Sequence, residues 1–356
     1  MQHVFLESHN IKNPFFGFGQ FNYHLINGIY QIAPEDFKMS LHVKDTSKWQ
    51  SNFGDYYKLK KYFSVRRYPQ ARLRKRYDLW HAMNQNTKIE PFHNIPYLLT
   101  VHNITHIKNE ENFMEKKVHQ RFQEKLNRST AITYISNYAK KSTHEFFDVP
   151  NVPEHIIYNG NPIKDIQLSS VYKPSFVPTR PFLFSIGEFT QRKNFKTLVE
   201  MLRMLPEYDL VIAGKNSTKN AEDITALIRS YNLENRVKLP GKISELDKQW
   251  YLQNCRAFVF PSLREGFGLP VIEAMRFGKP VITSNNTSLP EIGGDIAFYW
   301  EHFDPEYMAQ IVNESIHTFD TNLEENTSKS ITHAQSFNWK NAAQSYIDVY
   351  RNILNH

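Results

Sequence analysis

The chain has 356 residues, 40% hydrophobic and 22% charged, which suits a packed core and excludes global disorder. At roughly 100–200 residues per domain the length predicts two domains, and the single cysteine, Cys255, excludes an intrachain disulfide framework and a cysteine-rich zinc site and fits a reducing compartment. The net charge of +7 is uneven: residues 58–76 hold nine Lys/Arg and no Asp/Glu, leaving 34 basic against 36 acidic residues elsewhere.

In chain order, the opening residues lack a basic stretch followed by a long apolar one, so no signal peptide is expected. Short apolar runs at 4–7, 39–43, 79–82, 97–101, 131–135 and 156–158 predict strands in the first half. The basic segment 58–76 interrupts them. It is either a solvated basic helix and loop or a patch for an anionic membrane, a phosphorylated substrate or nucleic acid. Pro162, Pro174, Pro178 and Pro181 punctuate an aperiodic stretch, placing a linker near 162–180. Further apolar runs at 182–187, 210–214, 237–241, 257–262, 280–284 and 297–300 predict a second set of strands. Leu198, Met201, Leu202 and Leu205 mark a helix over 194–205, and another is predicted over 221–231. Continuous apolar strands alternating with helices imply parallel sheets covered on both faces, here two doubly wound α/β domains facing each other. Ligands in such sheets bind outside the carboxyl ends of the strands. No run approaches the ~18 apolar residues of a membrane span.

The segment from Phe260 to Met275 is the most informative. A strand ends at Pro261-Ser262, a loop carries Gly266 and Gly268, and Pro270 suits the first helical position. Glu273 is then expected in the first turn, beside free backbone N–H groups, with Glu265 eight residues before it. A Glu in a first turn is ordinary, and two glycines alone are weak; their combination carries more. Arg192 and Lys193 open a predicted helix after a strand, where helix amides can hold phosphate oxygens.

Glu265-Gly-Phe-Gly-Leu-Pro-Val-Ile-Glu273 resembles the E-x7-E signature of the retaining glycosyltransferases of family 4, which have the GT-B fold. Ser185-Ile-Gly-Glu-Phe-Thr-Gln-Arg-Lys-Asn194 resembles that family's strand–loop–helix segment, whose Lys binds the donor diphosphate. Val211–Gly214, Gly278–Ile282 and Leu289–Ile292 resemble its later elements. In the first half, Phe16-Gly-Phe-Gly19 is similar to its glycine loop, and Thr100-Val-His-Asn103 to the strand ending in a sugar-contacting His. The chain departs from many relatives in having Glu188 where they carry an Arg that helps neutralise the diphosphate.

The resemblance implies two Rossmann-like domains facing across a cleft: an acceptor-side domain at 1–165, a nucleotide-sugar-binding domain at 166–335, and a C-terminal helix, 336–356, packing back on the first. It implies Glu265, His102 and Lys193 as catalytic residues, and Arg192, Lys193, Gly266, Phe267, Gly268, Leu269, Glu273, Gly17 and Gly19 as donor-binding ones. Glu273 would bind the ribose hydroxyls and Glu265 the transferred sugar. No cofactor is expected beyond the nucleotide diphosphate sugar, GDP-mannose or a UDP-hexose, and no metal, since no convincing Asp-x-Asp is present; Glu110-Glu111 and Glu324-Glu325 read as surface charge. The expected partners are the nucleotide sugar, a glycan or lipid-linked acceptor, and an anionic membrane surface met by residues 58–76, without nucleic acid. The expected location is cytoplasmic, with peripheral attachment to the inner membrane face as an option. A non-catalytic GT-B protein that binds glycan or membrane is the alternative, resting on Glu188. Tyr62, Phe63 and Tyr68 interleave with the cations as single-strand binders require, but no recognised nucleic-acid fold surrounds them. A dinucleotide-dependent oxidoreductase lacks its Gly-x-Gly-x-x-Gly.

Overall fold

The computed structural model describes residues 1–13, 17–104, 112–163, 165, 168–169 and 171–355. The chain forms two compact units, Met1–Pro162 with Asn338–His356, and Ile163–Phe337.

The first unit holds β1 (Gln2–Glu7), β2 (Phe37–Val43), β3 (Tyr57–Lys61), β4 (Leu79–Ala82), β5 (Tyr97–Val101), β6 (Ala131–Tyr134) and β7 (Glu154–Ile156). They form one parallel sheet in the order β3-β2-β1-β4-β5-β6-β7. The second unit holds β8 (Phe182–Ile186), β9 (Asp209–Ala213), β10 (Val237–Gly241), β11 (Ala257–Phe260), β12 (Val281–Ser284) and β13 (Phe298–Trp300). Their order is β10-β9-β8-β11-β12-β13, again all parallel. Both sheets are doubly wound, and each reverses its winding beside its first strand: between β1 and β4, and between β8 and β11. Central strands such as β5 and β9 are buried at every position, because helices cover both faces. Local chemistry sets the helix starts. Ser136, Thr218 and Asp304 each accept a backbone N–H as N-cap, and Ser244 forms a capping box with Asp247.

Two elements differ from the sequence reading. Part of the basic segment is neither helix nor loop: Tyr57–Lys61 pairs with β2 from Met39↔Tyr57 to Val43↔Lys61. Its alternating lysines hid it, and they suit an outer strand whose free edge must not pair with other chains. The strand expected at 156–158 lies at Glu154–Ile156. Among the described residues no helix is long and apolar enough to cross a membrane.

The C-terminal helix Trp339–Leu354 belongs to the first unit and packs on helix Gly17–Ile32. The contact is close at Gly28, where an added Cβ would lie 2.8 Å from the Ala343 Cβ and 2.9 Å from the Trp339 carbonyl oxygen. The same helix is pinned to the sheet by polar bonds. The Tyr350 hydroxyl lies 2.8 Å from His81 Nδ1, and His81 Nε2 lies 2.8 Å from the Thr100 hydroxyl. Gly28→Val is expected to destabilise the protein by about 1–3 kcal/mol through overpacking, read as a lowered urea midpoint with an unchanged m-value.

Candidate functional site

The second unit gathers charge where β8 and β11 diverge. The chain leaves β8 through Gly187 and makes a short 3-10 turn at Gln191–Lys193, and Asn194 (φ 54) redirects it into helix Phe195–Leu202. A Cβ at Gly187 would sit 3.0 Å from Lys193 Cε, so the glycine leaves room for the lysine stem. Lys193 is 6% exposed. Its Nζ lies 4.4 Å from the centre of the Phe260 ring, at the end of β11.

That ammonium meets Glu265 at 2.5 Å, and Arg192 reaches the same carboxylate oxygen at 3.0 Å. The Ser262 hydroxyl donates to it as well, at 2.6 Å. The loop carrying Glu265 is held from both sides. The Glu265 N–H donates to Thr287 Oγ1 at 3.0 Å, and the Ser288 hydroxyl donates to the Glu265 carbonyl at 3.0 Å. Burial pushes the Glu265 carboxyl upward, but Lys193 and Arg192 outweigh it and hold the group below the usual carboxylate range. Burial pulls the Lys193 ammonium down, with Glu265 opposing.

Gly266 and Phe267 are buried in the same loop, and the Phe267 ring packs against Phe337 at 5.8 Å. Gly268 adopts φ +114 as the N-cap of helix Leu269–Met275, a conformation that side-chain-bearing residues rarely adopt. This corrects the expected place of Glu273. Leu269 opens the helix, Pro270 is its second residue and Glu273 its fifth, so Glu273 lies beyond the first turn and its free N–H groups. Its partner is Lys248, at 3.2 Å, and Lys248 also reaches Glu245 at 2.9 Å. Burial raises the Glu273 carboxyl and Lys248 offsets part of that rise. Nothing in the sequence couples positions 248 and 273, so Lys248 was missed. Glu188 pairs with Lys215 at 3.2 Å, a cation supplied just beyond β9 that the sequence reading had not identified.

His102, Gly17 and Gly19 lie in the first unit. His102 follows β5 and is 5% exposed, with the Phe18 and Phe21 rings edge-on at 4.9 and 4.5 Å. Its Nε2 donates to the Met83 carbonyl at 2.9 Å, which leaves Nδ1 as an acceptor. Burial lowers its pKa to about 4, so the ring is neutral above that. Gly17 and Gly19 sit at the start of helix Gly17–Ile32 rather than in a loop. A Cβ at Gly19 would collide with the Asn13 carbonyl, so this glycine serves the chain's own packing, whereas Gly17 has open space around it. Phe16, Glu110 and Glu111 lie outside the described residues. A further cluster went unpredicted at the end of β1. The buried Glu7 carboxylate accepts from the Thr87 hydroxyl at 2.7 Å and meets His9 at 2.8 Å and His42 at 3.2 Å.

Comparison with known proteins covers most of the chain. The Glycosyltransferase Family 4 profile matches residues 41–163, and the Glycosyl transferases group 1 profile matches residues 172–329. The O-antigen chain mannosyltransferase B of Escherichia coli is 26% identical over 69% of this chain and 66% of its own length. The serotype-specific mannosyltransferase WbdA of Escherichia coli is 31% identical over 64% of this chain and 29% of its own. The chain thus spans less than two thirds of these relatives' lengths. The sucrose-phosphate synthase of Thermosynechococcus elongatus superimposes with a TM-score of 0.76 over 100% of both chains at 18% identity, so the fold is GT-B.

Lys248→Met strands the buried Glu273 carboxylate and is expected to cost about 3 kcal/mol in chemical denaturation. Adding Glu273→Gln should recover most of that loss, and additive losses would show that the pair is uncoupled. His102 binds its proton more weakly when folded, so its stabilisation is present above the ordinary histidine value of 6.5 and is lost as pH falls toward about 4. The expected loss from this residue is about 2 kcal/mol between pH 7 and 5. His102→Gln should show a correspondingly shallower fall in urea midpoint over that range.

Proposed function

The chain belongs to glycosyltransferase family 4, and from that premise we propose a retaining enzyme that moves a hexose from a nucleotide diphosphate sugar to a glycan or lipid-linked acceptor. GDP-mannose is the first donor to test, because the relatives are described as mannosyltransferases, with UDP-hexoses next. Surface polysaccharide or glycoconjugate synthesis is the proposed setting. The observation that carries the reading is the buried Lys193–Glu265 pair beside Arg192, at the winding reversal of the second sheet.

In this reading Lys193 and Arg192 meet the growing negative charge on the leaving diphosphate, the electrostatic contribution such a transfer needs most. Glu265, held ionised and fixed by Ser262 and Thr287, accepts hydrogen bonds from the sugar hydroxyls. The loop Gly266-Phe267-Gly268-Leu269 brings backbone close to the sugar. Glu273 receives the ribose hydroxyls, with Lys248 holding its carboxylate. His102 offers Nδ1 to a sugar hydroxyl as a neutral acceptor, and Gly17 leaves room for substrate. We propose that no divalent metal is required, with Lys193, Arg192 and the hydrogen-bond donors of the loop sharing the charge. Lys215 balances Glu188, which removes the support that residue gave to a non-catalytic protein. Attachment to the inner face of a membrane is proposed through residues 58–76, whose exposed Phe63, Val65 and Tyr68 stand among the cations.

Transfer from GDP-mannose and UDP-glucose to a glycan acceptor, with the anomeric configuration of the product read by NMR, tests the proposal. Lys193→Ala should lower kcat about 100-fold or more, as removal of a preorganised charge-stabilising donor does. Glu273→Ala should raise the donor KM, and excess chelator should leave the rate unchanged. Product of inverted configuration, or wild-type kinetics in Lys193→Ala, would overturn it.

A further inference from the structure

The first unit contains a cavity of about 760 Å³ that none of the residues discussed above as donor-binding or catalytic lines. It is built from three separated parts of the chain: the turns after β3, the loop after β4, and helix Lys117–Arg128. Six of its lining residues are cationic and two, Glu90 and Glu124, are acidic.

The charges do not cancel. Lys125, 4% exposed, and Arg128 both close on Glu90, at 3.0 and 3.1 Å. Lys125 also donates to the Thr87 carbonyl at 2.5 Å, which fixes the floor of the cavity. Arg67, Arg72, Lys88 and Arg121 then remain. Among the described residues, none of these four has a carboxylate within ion-pair distance. Arg72 adds a second sign. Its Nε is buried without a hydrogen-bond partner, and its Nη1 finds only the Pro91 carbonyl, at 3.5 Å. A buried guanidinium donor left unpaired is costly, and an absent acceptor explains it. The Arg67 guanidinium carbon lies 4.9 Å from the centre of the exposed Tyr68 ring and its Nη2 donates to the Tyr68 hydroxyl at 3.0 Å, so the fork is held at the rim rather than dispersed in solvent. Four cations converging on one concave surface, three of them planar guanidinium forks and one of these with a buried orphan donor, match an anion of at least two charges with several oxygens.

We propose that this cavity binds a phosphate monoester or diphosphate group. The inference goes beyond the transferase reading and does not rest on it, because it places anion binding in the first unit with no role in the transfer step. The group has two sources, the headgroup of an anionic lipid or a soluble phosphorylated molecule, and both present the same oxygens to Arg72, Lys88 and Arg121.

Calorimetric titration of the full chain with inorganic pyrophosphate tests the proposal. Pyrophosphate also fits the cations of the second unit, so the titration is made in a Lys193→Ala background. Binding should persist there, weaken with added salt, and fall by about tenfold or more on adding Arg72→Gln and Arg121→Gln. Unchanged affinity in that variant, or no binding once Lys193 is removed, overturns the proposal. A measurement on the unmutated protein guards against misfolding: pyrophosphate should slow the acylation of exposed Lys88, read by mass spectrometry, and an unchanged rate overturns the proposal equally. Co-sedimentation with phosphatidylcholine vesicles, with and without phosphatidic acid, separates the sources. Sedimentation that needs phosphatidic acid and is reversed by pyrophosphate identifies a lipid headgroup. Pyrophosphate binding without sedimentation identifies a soluble ligand. Loss of transfer activity in Lys193→Ala with pyrophosphate binding intact separates this site from the transfer site.

Discussion

The buried contact between Lys193 and Glu265 is the constraint around which the second unit is built. Two opposite charges taken out of water lose hydration that their attraction repays only with good geometry and further hydrogen bonds. The surroundings supply both. Ser262 and Arg192 share the carboxylate oxygen, Phe260 offers its ring face to the ammonium, and Thr287 and Ser288 clamp the backbone beneath Glu265. Those groups come from the ends of β8 and β11 and from the segment after β12. The pair therefore requires the strand order that makes β8 and β11 neighbours. A well-packed apolar pair would often be as stable or more so. Retaining the charges makes sense only where charge is used.

The two units repeat one winding scheme but equip their carboxyl edges differently. In the second, that edge is ionic. In the first, His81 and His102 are buried and kept neutral, with pKa values lowered to about 3 and about 4 by burial. The carboxylate of Glu7 is wrapped by Thr87, His9 and His42. A neutral imidazole with one nitrogen occupied by a carbonyl is a directional acceptor for hydroxyl groups, whereas an ammonium beside a guanidinium suits phosphate oxygens. One winding scheme thus carries its polar groups in two ways: in the second unit they stand in the loops after the strands, whereas in the first Glu7, His42 and His81 stand on the strands themselves and His102 just after one.

Both sheets were legible because parallel strands buried on two faces leave an apolar run with no alternation, as in FLFSI and LVIA. The edge strand Tyr57–Lys61 was not, since its lysines follow a surface requirement that masks the strand signal. At the site, the separation of Glu265 and Glu273 and the adjacency of Arg192 and Lys193 could be read along the chain. The contacts that set their electrostatics could not. Lys248 meets Glu273 from another helix, Lys215 meets Glu188 from just beyond another strand, and Thr87 meets Glu7 across 80 residues. Periodicity reports which face a residue occupies and says nothing about its partner on a neighbouring element. Glycines show the same limit. Gly17 and Gly19 look alike in the sequence, but one faces open space and the other is pressed against Asn13.

The charge at the end of β8 shows what the proposed transfer must accomplish. Glu188 is matched by Lys215, and Glu265 is approached by both Lys193 and Arg192, so these five groups sum to a single positive charge. A nucleotide diphosphate brings more negative charge than that. Neutralisation by formal charge therefore falls short, so the remainder would have to be met by hydrogen-bond donors, with the cations placed as close to the phosphates as the site allows. Arg192 is 45% exposed at its side chain, whereas Lys193 is buried. If Arg192 turns from Glu265 to the phosphate oxygens, Glu265 keeps its bonds to Lys193 and Ser262 and stays ionised. Its remaining oxygen is then available to sugar hydroxyls. In the proposed transfer one carboxylate would thereby hold the lysine in place for the leaving group while orienting the sugar, a reason to place an acid among cations that would otherwise bind phosphate unaided.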